Sequence, residues 1–187
     1  MIINQKYLPK HIKTSKHNIN YGNRGMDFES LINKSNLFYL ENHIAVITKR
    51  PTPIKILKVD YSKNKITSAC FEKHSTTDYN GVYKGHYIDF DAKSTLSKTS
   101  FPLANISIHQ INHLKNILAH HGIAFLLIYF KTRDEYYFID FSIVLDFINH
   151  YERKSLPILY IKEKGIQIPF ENSIIDYIQA IDEYYHL

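Results

Sequence analysis

The sequence predicts a single α/β domain in which helices flank a mixed central sheet. Short runs of β-type residues alternate with stretches of helical periodicity, an order that usually packs helices against a sheet. The apolar run 123–130, IAFLLIYF, has the length of a strand that is buried on both faces. The chain has 187 residues, 44% of them hydrophobic, with no internal repeat, low-complexity tract or linker. One core of ordinary composition is therefore expected.

The N-terminal region divides into an arm and the start of the domain. Residues 1–22 carry four lysines and no acidic residue, and they show no sustained apolar period. We predict that they form a flexible basic arm and that residues 23–187 form the domain. A helix is expected to start near Asp27, because this residue follows Gly25 and suits an N-cap.

Basic β-type segments follow the first helix. Residues 43–50, HIAVITKR, predict a strand that the sequence PTP ends. Residues 54–60 and 66–72 flank YSKNK and predict a hairpin. Between positions 49 and 73 there are seven Lys and Arg against two acidic residues. A hairpin with such a polar exposed side cannot lie fully in a core.

The remaining elements follow in order. Residues 76–85, TTDYNGVYKG, are rich in turn formers, and Asn80-Gly81 gives the clearest hairpin signal. A strand over 86–93, a helix over 105–121 and strands over 123–130 and 136–140 come next. Two amphipathic helices complete the domain, and we expect Asp140 and Asn172 to be their N-caps.

Charge and cysteine content narrow the functional classes. Up to Arg133 the chain has 19 Lys and Arg against 8 Asp and Glu, whereas the remainder has 4 against 10. A basic front and an acidic back favour a polyanionic partner on one side. A single cysteine, Cys70, excludes an internal disulfide and suits a reducing compartment. No apolar stretch resembles a signal peptide or a membrane span, so we expect a cytoplasmic protein without a membrane partner.

The segment 87–93, YIDFDAK, carries the strongest chemical signal. In a strand, Asp89, Asp91 and Lys93 share one face, because alternate residues point the same way. Two carboxylates about 4 Å apart repel by roughly 4 kcal/mol at an effective dielectric near 20, and a divalent cation relieves that repulsion. Oxygen ligands favour Mg²⁺ or Mn²⁺. A surface ion pair between Asp91 and Lys93 is the simpler interpretation.

A third carboxylate, Asp78, is expected on the neighbouring antiparallel strand. A cation held by Asp78 and Asp91 could polarise a phosphoryl oxygen and activate water. Lys93 could orient that water or stabilise charge on the phosphate. These groups are the parts that phosphodiester hydrolysis requires.

The arrangement resembles the PD-(D/E)xK nuclease superfamily and, more closely, the RecU family of Holliday-junction resolvases. The resemblance runs from about residue 23 nearly to the C-terminus and weakens after residue 130. TTDYNG followed by YIDFxAK is far more specific than Asp-x-Lys alone. The matching segments are NRGM (23–26), ENHIAVITKRPTPIKI (41–56), STTDYNGVYKGHYIDFDAK (75–93), TSFPL (99–103) and HQINHLK (109–115).

The resemblance implies a restriction-endonuclease-like fold, a homodimer, and a protruding hairpin stalk over about 54–72. It also assigns roles to individual residues. The expected metal-site residues are Thr76, Asp78 and Asp91, and the expected catalytic residues are Asp78, Asp91, Lys93, Glu29 and Gln110. Arg24 and the basic arm are the candidate DNA contacts that it implies. Lys73, Lys84 and Phe71 are further expected contacts, although Phe71 could instead pack in the core.

Two positions depart from the family pattern. The family usually has Glu where this chain has Asp91, so the cation would have to move or bind through water. His86 stands where Arg is common, which replaces a permanent charge with a titratable one.

Several residues keep a second interpretation. Asp89 is either a third ligand or a carboxylate satisfied by backbone or basic groups. Glu29 could serve only the dipole of its helix, and Gln110 could be a surface amide. His109 and His113 have zinc-like spacing but lack the glutamate of the HExxH motif.

The expected activity is structure-selective cleavage of four-way DNA junctions with Mg²⁺ or Mn²⁺, with recombinase and branch-migration proteins as candidate partners. A junction-binding protein that does not cut is the alternative from another class. A general restriction-type endonuclease is the third interpretation.

Overall fold

The computed structural model of the chain describes residues 27–71 and 76–187. The predicted basic arm, Arg24 and Lys73 lie outside these residues. The described part contains five α-helices: α1 Phe28–Glu41, α2 Ile108–Ala119, α3 Phe141–His150, α4 Ile158–Lys164 and α5 Tyr177–Tyr185. None of them is long and apolar enough to cross a membrane.

A six-stranded mixed sheet forms the centre of the described domain. Its strands are β1 Val46–Lys49, β4 Tyr79–Tyr83, β5 His86–Thr95, β7 Ile123–Phe130, β8 Glu135–Asp140 and β10 Ile166–Ile168, in the order β1-β4-β5-β7-β8-β10. Neighbouring strands are antiparallel except β5 and β7, which are parallel. The predicted mixed sheet with flanking helices is confirmed.

Three two-stranded sheets complete the strand set. They pair β2 Ile54–Asp60 with β3 Lys65–Phe71, β6 Ser100–Pro102 with β9 Ser155–Pro157, and β11 Phe170–Glu171 with β12 Ile174–Ile175. The β2–β3 pair is the predicted hairpin, and every residue of β3 is exposed. Strands β6 and β9 to β12 were not predicted, because two- and three-residue strands carry too little periodicity.

Helices cover both faces of the sheet because alternate strand residues point to opposite sides. Phe90 and Phe125 lie on the side where α1 and α5 pack, and their rings stack with centroids 4.6 Å apart. Leu126 and Ile128 lie on the other side, with buried residues of α2, α3 and α4. Strand β7 is almost fully buried, as its uninterrupted apolar sequence predicts.

The hairpin turn between β4 and β5 was placed wrongly in the prediction. Asn80 and Gly81 lie within β4, and the chain turns at Lys84 and Gly85, which both have positive φ, 47° and 81°. Gly81 is needed for packing, because a Cβ there would lie 2.1 Å from the carbonyl oxygen of Val46 in β1. Two positive φ values in a two-residue turn match the twist of the flanking strands.

The expected helix starts have different outcomes. Asp140 caps α3 by accepting a hydrogen bond from the Ser142 amide at 2.8 Å, as predicted. Asp27 occupies the N-cap of α1, although its side chain makes no capping bond. Asn172 was the wrong N-cap: it lies with positive φ in the β11–β12 turn, and Asp176 caps α5. The sequence pattern extended that helix backward because Ile174 and Ile175 continue its apolar period.

Candidate active site

The pairing of β4 with β5 places Asp78 beside Asp91. Tyr79 pairs with Phe90, so Asp78, one residue earlier, lies opposite Asp91 on the adjacent antiparallel strand. The backbone amide of Ala92 donates to Asp78 Oδ2 at 3.1 Å. Asp91 pairs with Leu126 of β7 and therefore faces the side of the sheet that α2 and α3 cover. The predicted adjacency of the two carboxylates is confirmed.

Asp91 is a buried carboxylate with unsatisfied oxygens. The residue is fully buried, and neither Oδ1 nor Oδ2 has a hydrogen-bond partner within the described part of the chain. The Lys93 ammonium lies 2.7 Å from Oδ2, close enough for an ion pair, but not in a direction that makes a hydrogen bond. Burial and, after it, the neighbouring Asp78 carboxyl raise the pKa of Asp91 to about 8. Positive charge at this point would relieve both effects.

The donor set fits a hard divalent cation. Two carboxylates supply oxygen ligands, and one of them has free lone pairs in a buried position. Among residues 27–71 and 76–187 no group of three or more His, Cys, Asp and Glu could hold a metal ion. A cation here would complete its coordination with water, backbone or substrate oxygens, as Mg²⁺ commonly does.

Glu29 lies at the same end of the sheet, but on its other side. Helix α1 packs on the opposite face from Asp91, and Glu29 forms an ion pair with Lys49 at the end of β1. Glu29 holds the pKa of Lys49 above its usual value, with a smaller contribution from Asp78. The structure thus brings Glu29 and Lys49 within the electrostatic range of Asp78. Lys49 appeared in the sequence analysis only as one of several basic residues.

Two other predicted site residues have local contacts instead. The side-chain oxygen of Gln110 accepts the Ser107 amide at 2.9 Å, and Ser107 Oγ accepts the Gln110 amide at 3.3 Å. This capping box starts α2, and the Ser-x-x-Gln sequence could have predicted it. Thr76 is exposed. The catalytic role of Gln110 and the metal-site role of Thr76 stay predictions.

The predicted DNA contacts within the described residues lie at separate places. Phe71 is 78% exposed at the end of β3, opposite Ile54 in the hairpin. Lys84 is at the β4–β5 turn, where it forms an ion pair with Asp182 of α5 at 3.0 Å. At about 3.3 Å per strand residue, that turn is roughly 20 Å from Asp78. Lys84 is therefore remote from the two carboxylates.

Asp89 accepts hydrogen bonds from basic and hydroxyl groups, which confirms one of its two predicted interpretations. It is fully buried, and it forms an ion pair with Arg50 and bonds with His113 Nε2 at 2.9 Å and the Tyr87 hydroxyl at 2.9 Å. The hydroxyl of Thr77 also donates to it. His113 was considered only as a zinc ligand and Arg50 was not singled out, because nothing local in the sequence connects either residue with Asp89.

The fold and the site together define the class of protein. It is a mixed α/β domain that brings two carboxylates and a lysine together at adjoining strands. Comparison with known proteins gives the family. The profile of the RecU family, described as recombination protein U, matches residues 23–183. The chain therefore belongs to the RecU family.

Curated relatives match most of the chain. A Holliday junction resolvase RecU from Oceanobacillus iheyensis is 46% identical over 97% of this chain and 96% of its own length. A protein of the same name from Lactococcus lactis subsp. cremoris is 52% identical over 82% of this chain and 74% of its own length. One from Staphylococcus aureus is 49% identical over 89% of this chain and 83% of its own length.

Proposed function

We propose that this chain resolves four-way (Holliday) DNA junctions by metal-dependent phosphodiester hydrolysis in recombination and repair. The observation that carries the proposal is the buried, unsatisfied carboxylate of Asp91 beside Asp78 and Lys93, in a chain of the RecU family. Each relative described above bears the name Holliday junction resolvase. In this proposal Asp78 and Asp91 hold Mg²⁺ or Mn²⁺, and Thr76 lies near the ion.

The chemistry divides between the cation and the chain's own residues. When bound, a divalent cation polarises a phosphoryl oxygen and lowers the pKa of its water. The Lys93 ammonium, held beside Asp91, stabilises negative charge that develops on the phosphate and orients the attacking water. The Ala92 amide fixes the Asp78 carboxylate by its bond to Oδ2. Glu29, on the other side of the sheet, and Gln110, in the first turn of α2, complete the proposed catalytic set.

Junction recognition is assigned to the basic and exposed elements. The β2–β3 hairpin, as the stalk, offers Lys55 and Lys58 on one face and the exposed Phe71 on the other. Arg24, Lys73, Lys84 and the basic arm are the further proposed DNA contacts. Contacts of this kind to phosphates read the shape of the junction rather than its sequence.

The larger assembly follows from the chemistry of resolution. Two symmetric cuts in strands of like polarity require two sites related by a two-fold axis, which a homodimer supplies. We further propose that residues 23–187 form one restriction-endonuclease-like nuclease domain and that the protein works in the cytoplasm. Recombinase and branch-migration proteins are the proposed protein partners.

The direct test is to incubate the purified protein with a labelled four-way junction and a linear duplex of the same sequence. Paired nicks in the junction with Mn²⁺ or Mg²⁺, and none with EDTA, support the proposal. Junction binding without any nick in either metal would instead support an architectural protein that does not cut. The presence of Asp91, where the family usually has Glu, would then be a reason for the missing cleavage. Equal cutting of both substrates would support a general endonuclease.

A further inference from the structure

Asp89 joins four separate segments of the domain through one carboxylate. Its donors are Arg50, which follows β1, Thr77, which precedes β4, Tyr87 of β5 itself, and His113 of α2. The carboxylate is fully buried. A buried carboxylate is stable when its charge is paired and its oxygens accept hydrogen bonds; here Arg50 supplies the positive charge and both oxygens have donors.

The same four donors compete with a cation for Asp89. Three of them bind Oδ2 and Thr77 binds Oδ1, so the protein takes most of the roughly four acceptor positions of the carboxylate. Asp91, two residues further along the same face, has none of its oxygens satisfied by a hydrogen bond. The two carboxylates therefore differ: Asp91 is the more available to a cation, and Asp89 is largely used by the protein.

Asp89 is connected through Thr77 to Asp78, which with Asp91 is a proposed metal ligand. The Thr77 hydroxyl donates to Asp89 Oδ1, and Thr77 is itself fully buried and directly precedes Asp78. On the next strand the backbone amide of Arg50 donates to the carbonyl oxygen of Asp78 at 2.8 Å. The Arg50 side chain also binds Asp89. Thr77, which precedes Asp78, and Arg50, which bonds to the Asp78 backbone, are therefore both held by the Asp89 carboxylate.

We propose that Asp89 is a positioning residue that sets the separation of the Asp78 and Asp91 carboxylates by holding Thr77 and Arg50. The inference depends on the proposed function, because it assumes that these two carboxylates bind the cation. Partners that orient metal ligands usually change metal affinity by about 10- to 100-fold when they are removed. The link through Thr77 can be broken without changing any charge.

The test compares Thr77→Val, which removes the hydroxyl at nearly constant volume, with Thr77→Ser, which keeps it. Mn²⁺ binding to the full chain is measured by calorimetry, and junction cleavage by single-turnover rates over a range of Mn²⁺ concentrations. Thr77→Val should weaken Mn²⁺ binding about tenfold or more, and Thr77→Ser should restore it to near the wild-type value. Excess Mn²⁺ should recover part of the Thr77→Val cleavage rate.

Ser35→Ala is the matched control, because Ser35 is another fully buried hydroxyl whose bonds to Leu31 and Ile175 lie away from the carboxylates. It should lower the thermal midpoint and leave Mn²⁺ affinity unchanged. Thr77→Ala removes the same hydroxyl without placing a methyl group beside a carboxylate, and replaces Thr77→Val if that variant does not fold.

The outcomes separate the inference from the function on which it rests. If the wild type binds Mn²⁺ and cuts junctions but Thr77→Val binds Mn²⁺ equally well, Asp89 has no positioning role. If Thr77→Ser is as impaired as Thr77→Val, the hydroxyl is not the link and the inference also fails. A wild type that neither binds Mn²⁺ nor cuts would overturn the proposed function, and the inference with it.

Discussion

Asp78, one residue before β4, lies beside Asp91 of the antiparallel strand β5, yet only Asp78 accepts a hydrogen bond from the described part of the protein. Asp78 accepts the Ala92 amide, whereas Asp91 is fully buried and has no hydrogen-bond partner within the described residues. This asymmetry makes Asp91 the group whose charge most needs a cation.

Removal of the Lys93 ammonium should separate cleavage from binding. We expect Lys93→Ala to lower the single-turnover cleavage rate by on the order of 10²–10³-fold, because the charge beside the phosphate is lost. Junction affinity should change little, since most of it comes from other phosphate contacts. Rates and gel-shift affinities measure the two effects. Lys164→Ala, which removes an exposed lysine paired with Glu163, is the control; equal activity of Lys93→Ala and this control would contradict the assignment.

Lengthening Asp91 should test the departure from the family pattern. Asp91→Glu restores the residue usual in the family and moves the carboxylate outward by one methylene. We expect cleavage to be retained within about tenfold and the ratio of Mg²⁺- to Mn²⁺-supported rates to shift, because Mg²⁺ requires stricter octahedral geometry. Rates with each metal at saturation give the answer. An unchanged ratio would mean that Asp91 does not contact the ion.

The raised pKa of Asp91, about 8, predicts a pH-dependent stability in the metal-free protein. Between its unfolded value near 3.9 and its folded value the native state binds the extra proton, so this group makes unfolding easier as pH rises through that window. Asp91→Asn carries no such titration. Its thermal midpoint relative to wild type should therefore rise from about pH 5 to about pH 8 and level off above it. A pH-independent difference would refute the shift.

Binding of Mn²⁺ should release a proton below pH 8, because the ligand must be deprotonated. Calorimetry in two buffers of different ionisation enthalpy measures the number released per ion. We expect about one proton at pH 6 and a smaller number at pH 9. Asp91→Asn is the control and should release none. Release that is constant across this range would show that another group titrates.

The basic face of the β2–β3 hairpin should contribute to the salt dependence of junction binding. Lys55 and Lys58 lie on one face, opposite Cys70 and Ser68. If each neutralises one phosphate, the double change to Ala should make the log–log salt slope shallower by about 1.8. Fluorescence anisotropy over a range of salt concentrations measures the slope. Lys162 and Lys164, changed to Ala together on the acidic half, should leave it unaltered.

Gly81 should be essential for the edge of the sheet. A Cβ would lie 2.1 Å from the Val46 carbonyl and 2.7 Å from Ile47 Cα, so Gly81→Ala requires β1 to move. We expect a loss of at least about 2 kcal/mol in the free energy of unfolding by urea. Gly85→Ala meets no atom within 4 Å and should cost only about 1 kcal/mol through its positive φ. Equal costs would show that backbone conformation alone matters at Gly81.

Local patterns predicted the parts of the fold that depend on neighbouring residues. The alternation of YIDFDAK gives a strand with Asp89, Asp91 and Lys93 on one face, and the uninterrupted apolar run gives the buried strand β7. The predicted position of the hairpin turn was wrong. Asn80-Gly81 has the composition that is typical of such a turn, but the chain turns at Lys84-Gly85. Gly81 is required instead by the close approach of the β1 backbone, which is more than thirty residues earlier in the chain.

The candidate site, like the fold, could be predicted from the sequence only in part. Asp78, Asp91 and Lys93 could be proposed from the sequence, since strand alternation and one hairpin suffice to bring them together. Only the tertiary structure decided three other features of the site. They are the burial of Asp91, the ion pair between Glu29 and Lys49, and the contacts that Arg50, Thr77 and His113 make with Asp89. Sequence spacing sets which side chains share a face, but burial and long-range strand order set which carboxylate oxygens are left without a hydrogen-bond donor.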